Sequence, residues 1–432
     1  MRLALTVALA LAACSGAAPV TEPAAPMPPP AASGGPASGE PAAPPLAPET
    51  PSEDRFPAAL MDRARALARD AVIVDGHIDV PYRLERAYED VGEATARGDF
   101  DYPRAVAGGL DAPFMSIYVP ARFQETGGAR AFADGLIDMV ESLVDNHPEK
   151  FRIARSPADV RANKRAGLIS LPLGMENGAP VEGELAGLAH FHARGVRYVT
   201  LTHGTDNEIS DSSYDDAGTH GGLSDFGREV VREMNRLGVM VDVSHLSDEA
   251  FDDVMEVTRA PVIASHSSAR HFTPGFRRNL DDGRIRALAT RGGVFMINFG
   301  SSFLTDAYRQ RRERADAYAD ALAEARGLSP EAAQDLRAEV RRRHAGYADL
   351  DDVLDHIDHV RDLVGARHIG IGSDYDGVGD TLPYGLKDVS TYPMLVAGLL
   401  DRGYSEDDIR GILGENALRV WAEVEQLAAR SE

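Results

Sequence analysis

The sequence predicts an α/β fold, a (β/α)8 or TIM-like barrel, and three observations carry that expectation. Eight short apolar runs recur along the chain, continuous rather than alternating, as in strands buried on both faces of a parallel sheet. Segments of helical periodicity separate them. The residues able to do chemistry stand at the C-terminal ends of the runs, where barrels of this kind place their active sites. A doubly wound parallel sheet is the rival architecture, since it also alternates strand with helix.

Taken in order, the chain opens with an address. Met1-Arg2 leads into an apolar run from Leu3 to Ala13, ending Leu11-Ala12-Ala13-Cys14-Ser15. The run is shorter than the roughly 20 residues a transmembrane helix needs. A positive start, an apolar middle and small residues at the end are the plan of a secretory signal, expected over 1–14. The single Cys sits directly after it, as in a bacterial lipobox, so Cys14 is the expected lipidation site. Residues 15–54 are mostly Ala, Pro, Gly, Ser and Glu, with no Lys or Arg. Such a stretch buries too little apolar surface to offset its chain entropy and is expected to be a disordered tether. The folded domain is expected over 55–432.

The strand candidates are 71–74, 113–119, 168–173, 196–201, 239–243, 261–264, 294–298 and 368–371. Among the helices, 224–238 is the clearest, with Ser224 and Asp225 at its start and Gly238 at its end. Segments 351–364 and 406–425 have the same periodicity. Residues 302–347 form an unusually long connection, and Ser329-Pro330-Glu331 marks a helix start within it. A helical insertion over one face of the barrel is expected there.

Composition narrows the function. The chain has 432 residues, 44% of them hydrophobic, enough for a large core. One Cys excludes a disulfide scaffold and a thiolate zinc module. Lys and Arg total 45 against 68 Asp and Glu, a formal charge of −23, which speaks against nucleic-acid binding and against electrostatic adhesion to anionic lipid. The membrane is therefore expected as a partner only through the N-terminal lipid.

The strand ends carry the strongest signal. They read Asp75-Gly76-His77-Ile78-Asp79, Gly174-Met175-Glu176-Asn177, Thr202-His203, Ser244-His245, Ser265-His266 and Gly372-Ser373-Asp374. His77 and Asp79 are two apart, so on a strand both point to one side and one metal can take both. Imidazole with carboxylate suits Zn²⁺ and its first-row neighbours. A single His at a strand end is most often structural; four with matching carboxylates are not. Five strong donors exceed the three protein ligands of a catalytic zinc site, so two ions fit better than one. Glu176 is the expected bridge, lying between the His77/Asp79 pair and the His245/His266 pair. Two cations would generate hydroxide from a shared water near neutral pH, and Asp374 is the expected acceptor of its proton.

With these motifs the chain resembles the membrane (renal) dipeptidases, dizinc metallopeptidases of the amidohydrolase-like barrel group. The likeness runs from about Ala71 to Trp421 and includes the run 222–247 and Arg277-Arg278-Asn279. It implies that His77 and Asp79 bind one zinc, that His245 and His266 bind the other, and that Glu176 bridges them. It further implies that His203 binds substrate and stabilises the oxyanion, that Arg278 holds the terminal carboxylate, and that Asp374 passes the proton to the leaving amine. A small dipeptide substrate and a homodimer come with the resemblance. Two features depart from it. Gly300 follows Asn298-Phe299 where several relatives have an aromatic residue, and the loop 204–211 lacks the Cys and Trp of the animal enzymes.

The remaining signals are read as structural. Gly370-Ile371-Gly372 lacks the spacing of a nucleotide loop. His356 and His359 are three apart on a helix and are expected to support it, Asp376 is expected to be structural, and Trp421 to pack the last helix. The combined expectation is a zinc-dependent dipeptidase, lipid-anchored in the bacterial envelope and facing the periplasm. The alternatives are a related binuclear hydrolase acting on a lactam, lactone or N-acyl amino acid, and a binding module that has lost catalysis.

Overall fold

A computed structural model describes residues 40–48 and 55–430. The expected signal segment 1–14 and Cys14 lie outside the described residues. Ten strands are present: β1 Ile73–Ile78, β2 Leu110–Tyr118, β3 Phe151–Ile153, β4 Ile169–Leu171, β5 Leu173–Glu176, β6 Val196–Thr200, β7 Met240–Asp242, β8 Ile263–Ser267, β9 Val294–Ile297 and β10 Ile369–Ile371. Eight of them close a parallel barrel in the order β1-β10-β9-β8-β7-β6-β5-β2. Closure is made where Asp75 of β1 pairs with Ile371 of β10. A doubly wound sheet leaves two open edges, and this pairing excludes it.

The third expected strand needs correction. The run 168–173 falls on β4, which pairs with β3 in a separate two-stranded sheet. Pro172 follows β4 and has no N–H to donate, so the ladder breaks there and the barrel strand β5 begins at Leu173. The first run also extends further than its apolar residues. β1 continues through the buried Asp75, Gly76 and His77. Those polar groups are tolerated because they are hydrogen-bonded inside the barrel mouth.

A cluster including Val74, Phe114, Tyr198, Met240, Ile263 and Met296 draws on β1, β2, β6, β7, β8 and β9 and packs against Trp421. Its layers fill the barrel, and the helix Asn416–Ala429 that carries Trp421 closes one end. Around the barrel, helix ends follow their caps. Ser224 accepts from the Gly227 N–H at the start of Asp225–Leu237, and Gly238 ends that helix at φ 77°. Asp349 and Asp352 form a capping box on Leu350–Val364.

Three helices, Ser301–Leu304, Asp306–Ala325 and Pro330–His344, fill the long connection that precedes helix Leu350–Val364 between β9 and β10. The last two fold back on one another around a small core of Tyr308, Ala315, Ala319 and Val340. Arg341 binds Asp316 across them at 2.5 and 2.9 Å. Of the expected tether, residues 40–48 are described, and they are not free. Ala47 N–H donates to the Arg343 carbonyl at 3.0 Å, and Glu40 pairs with Arg326 at 2.8 Å. The Arg343 carbonyl belongs to the last helical turn, where no intrahelical donor is available. No described helix is long and apolar enough to cross a membrane.

Candidate metal centre

The C-terminal ends of four barrel strands, β1, β5, β7 and β8, bring Glu176, His77, Asp79, His245 and His266 to one point. Glu176 ends β5 and is buried among the four others. Its two carboxylate oxygens face different partners. Oε2 lies 3.6 Å from His77 Nε2, which in turn is 3.3 Å from Asp79 Oδ2. Oε1 lies 3.0 Å from His245 Nε2 and 3.2 Å from His266 Nε2. The latter two nitrogens are 2.9 Å apart. Ligand atoms around a tetrahedral ion with bonds of about 2.0–2.1 Å stand roughly 3.3 Å from one another, so these edges have the size of a coordination shell.

The donor set also has the chemistry of one. His77 Nε2 and Asp79 Oδ1 are buried with no hydrogen-bond partner. Orphaned buried acceptors are costly unless something positive faces them. The opposite ring nitrogens are committed. His77 Nδ1 lies 2.8 Å from the Tyr198 hydroxyl, which donates its own proton to the Gly76 carbonyl at 3.1 Å. His266 Nδ1 is fixed by the Ser265 hydroxyl at 2.7 Å, and Ser265 donates to Asp242 at 2.6 Å. Asp242 also accepts from Thr200 Oγ1 at 2.5 Å. Such contacts behind a ligand set its tautomer and aim.

Burial lowers the His77 pKa, but Tyr198, Glu176 and Asp79 outweigh it and raise the ring well above its usual value, so His77 carries a positive charge that a bound ion would replace. Burial pushes the Glu176 carboxyl up, and the imidazoles of His77 and His203, with hydrogen bonds from His245 and His266, outweigh it and hold the group well below its usual range. Burial, with the charges of His77 and Arg278, pushes His266 down to about 3. Burial, followed by Arg278 and His203, drives His245 down as well. Both rings are thus neutral bases, the form a metal requires.

Asp374 follows β10 and lies in a cluster with His77 and Asp79. Burial is the first cause that raises its carboxyl well above the usual range, with Asp79 and Glu176 adding to it. Asn298 Nδ2 donates to its Oδ2 at 2.7 Å. Gly377 makes room here, because a Cβ at that position would stand 2.1 Å from Asp374 Oδ1 and 2.2 Å from Asp79 Oδ2. His203 follows β6. Its Nε2 is 3.7 Å from Glu176 Oε1, and its ring centroid is 4.7 Å from that of Tyr118. Burial lowers its pKa. With Glu176 and His245 it forms a further group at metal-ligand spacing.

Arg278 is placed differently from the others. It is 2% exposed and does not line the cavity. It donates to Ser267 Oγ at 2.7 Å and to the His266 carbonyl at 2.9 Å. Phe303 covers it, with 5.2 Å between guanidinium carbon and ring centroid. Phe303 comes from the helix directly after Gly300, so an aromatic three residues on occupies the region where Gly300 itself has no side chain.

An open cavity of about 740 Å³ leads to Asp79, Glu176, His203, His245, His266 and Asp374. Its outer wall includes Tyr214, Phe276, Phe303, Arg309 and Arg312, several of them from the helical insertion. Sequence reasoning missed this wall, and it missed Tyr198, Ser265, Asp242 and Tyr118. Tyr198 alone had a signal, a tyrosine beside Val199 in a strand that is buried throughout. Elsewhere, His356 is a structural pillar as expected. It accepts from Ala269 N–H at 3.0 Å and donates to the Leu304 carbonyl at 2.9 Å. Asp376 accepts from Asp99 N–H at 2.7 Å and from Arg83 at 3.2 Å, ordering the loop behind Asp374.

Comparisons with known proteins agree with this geometry. The chain matches the membrane dipeptidase family, peptidase family M19, over residues 61–432. Among solved structures it is similar to the probable dipeptidase PvdM from Pseudomonas aeruginosa, with 27% identity and a TM-score of 0.75, over 86% of this chain and 100% of that one. It is also similar to a metallo peptidase from Rhodobacter sphaeroides, liganded with a phosphinate mimic of the dipeptide L-Ala-D-Ala. There the identity is 27% and the TM-score 0.67, over 82% of this chain and 99% of that one. A barrel closed on itself, a buried histidine–carboxylate cluster at its C-terminal mouth and a family match over most of the folded chain lead to one conclusion: the chain belongs to the membrane dipeptidase family of metallopeptidases.

Proposed function

We propose that the protein hydrolyses free dipeptides, L,D-dipeptides among them, at a centre of two zinc ions bridged by Glu176. As a member of its family it is a metallo-dipeptidase, and the lactam, lactone and N-acyl readings are not favoured. The observation that carries the two-ion reading is the division of Glu176, with one oxygen toward His77, which also faces Asp79, and the other toward His245 and His266. When bound, such ions lower the pKa of coordinated water and polarise a carbonyl.

The chain's own residues do the rest. Tyr198 and Ser265 aim His77 and His266. Asp374, kept basic by burial and oriented by Asn298, takes a proton at its carboxylate and returns it to the leaving amine. His203, backed by Tyr118, donates a ring N–H to the carbonyl oxygen as negative charge develops there. Arg278, which lies against the Phe303 ring, holds the terminal carboxylate, a task its planar fork suits. The L-Ala-D-Ala mimic bound by the Rhodobacter relative supports acceptance of a D-residue at the second position.

The same proposal places the enzyme in the bacterial envelope, facing the periplasm, anchored through lipid on Cys14 and acting as a homodimer. The N-terminal sequence supports the anchor. The function is tested by loading the purified chain with zinc and measuring hydrolysis of L,L- and L,D-dipeptides beside N-acetylated counterparts. Cleavage confined to free dipeptides is expected. Faster cleavage of the blocked compounds would overturn it.

A further inference from the structure

The cavity wall holds a cation that neither the metal centre nor the terminal carboxylate uses. Arg309 stands near the start of helix Asp306–Ala325, the part of the insertion that overhangs the site. Its guanidinium carbon lies over the Phe276 ring, 3.8 Å from the centroid. Among the described residues its one ion pair is a loose 4.0 Å contact with Asp306. Arg86 lines the cavity too, with its guanidinium 5.8 Å from the Tyr82 ring centroid, and two other charges of the wall are committed. Arg312 donates to Ser302 Oγ at 3.0 Å, and Asp316 is held by Arg341 at 2.5 and 2.9 Å. Glu313 lines the cavity one turn further along.

Arg309 has a fixed relation to Arg278. The rings of Phe276 and Phe303 are 5.6 Å apart, edge to face. Arg309 lies against the first and Arg278 against the second. The two guanidiniums thus flank one aromatic pair at the same end of the cavity, the deeper covered and the outer open. A guanidinium stacked on an aromatic face keeps its N–H edges free and is ordered in advance for a carboxylate.

We infer that Arg309 reads the side chain of the dipeptide's second residue and selects substrates whose second residue is Asp or Glu. The inference rests on the dipeptidase reading with Arg278 as anchor. The residue whose terminal carboxylate meets Arg278 carries its side chain from the same Cα, and Arg309 is the cation across the Phe276–Phe303 pair from that anchor. Charge-assisted hydrogen bonds in a partly desolvated wall give this preference its size.

The test uses the zinc-loaded full chain with Ala-Glu, Ala-Gln and Ala-Lys, each with an L- and a D-second residue. The expected kcat/KM for Ala-Glu exceeds that for the isosteric Ala-Gln about tenfold. In Arg309→Met this ratio falls to about one, Arg309→Lys keeps part of it, and Arg309→Glu shifts preference to Ala-Lys. A wild-type ratio near one, a preference for Ala-Lys, or a ratio unchanged in Arg309→Met overturns the inference. Cleavage of no dipeptide at all overturns the underlying reading instead.

Discussion

At Glu176, burial and coordination pull in opposite directions. A carboxylate in the barrel mouth is expensive to desolvate, and four ligand-type groups surround it within 3.0 to 3.6 Å, directly or through His77. Glu176→Gln keeps the shape and removes the charge. It is expected to lower bound metal on inductively coupled plasma analysis and to reduce dipeptide hydrolysis at least about 100-fold. Tyr198→Phe separates aim from ligation, because it removes only the hydroxyl behind His77. Zinc affinity is expected to fall roughly 10–100-fold by competition with a chelating dye, with kcat at saturating zinc less affected. An unchanged zinc affinity would show that Tyr198 does not orient His77. The donors themselves were legible in the sequence because each terminates an apolar run. Tyr198 was not assigned, since its partner His77 comes from a strand distant in sequence, and Ser265 was not, since its contact with the neighbouring His266 depends on how the side chains turn.

At the scale of elements, the strand ends and the insertion shape the site. Asn177, His245, Asp374 and Asp376 all have positive φ, between 63° and 79°. Non-glycine residues there cost on the order of 1 kcal/mol or more each and persist where surrounding contacts over-determine them. Periodicity cannot show this, and it likewise missed β5, where Pro172 splits one apolar run between two sheets. The insertion was legible as helical from its capping signal, yet its contribution to the cavity was not, because Phe303 and Arg309 look like ordinary helix residues in sequence. Phe303→Ala uncovers Arg278, and KM for dipeptides is expected to change several-fold with little change in metal content. His356 ties the loop after β8 to the insertion. Burial pushes it down to about 4 from an ordinary 6.5. The unfolded chain therefore binds the extra proton between these values, and stability falls as pH drops from about 6.5 toward 4. The ceiling is about 3 kcal/mol for this group, at 1.36 kcal/mol per pKa unit. Urea titrations at pH 7 and pH 5 check it: the loss between them is expected to be smaller in His356→Gln than in the wild type.

For the whole molecule, the barrel is a frame that forces acidic groups together at one end. Asp79, Glu176 and Asp374 share a single mouth with three buried imidazoles, His77, His245 and His266, and much of that crowding is relieved when cations bind. Metal binding and folding are therefore linked. Removing metal with a chelator is expected to lower Tm, and excess zinc to restore it, with stabilisation of about 4 kcal/mol when free metal is 1,000 times its Kd. Equal Tm with and without chelator would contradict that linkage. The most direct test of the centre is a zinc titration of the metal-free chain, following bound zinc and dipeptide hydrolysis together. Two ions bridged by Glu176 give activity that saturates at two equivalents per chain and is lost in Glu176→Gln. Saturation at one equivalent, or wild-type activity in Glu176→Gln, contradicts a bridged pair.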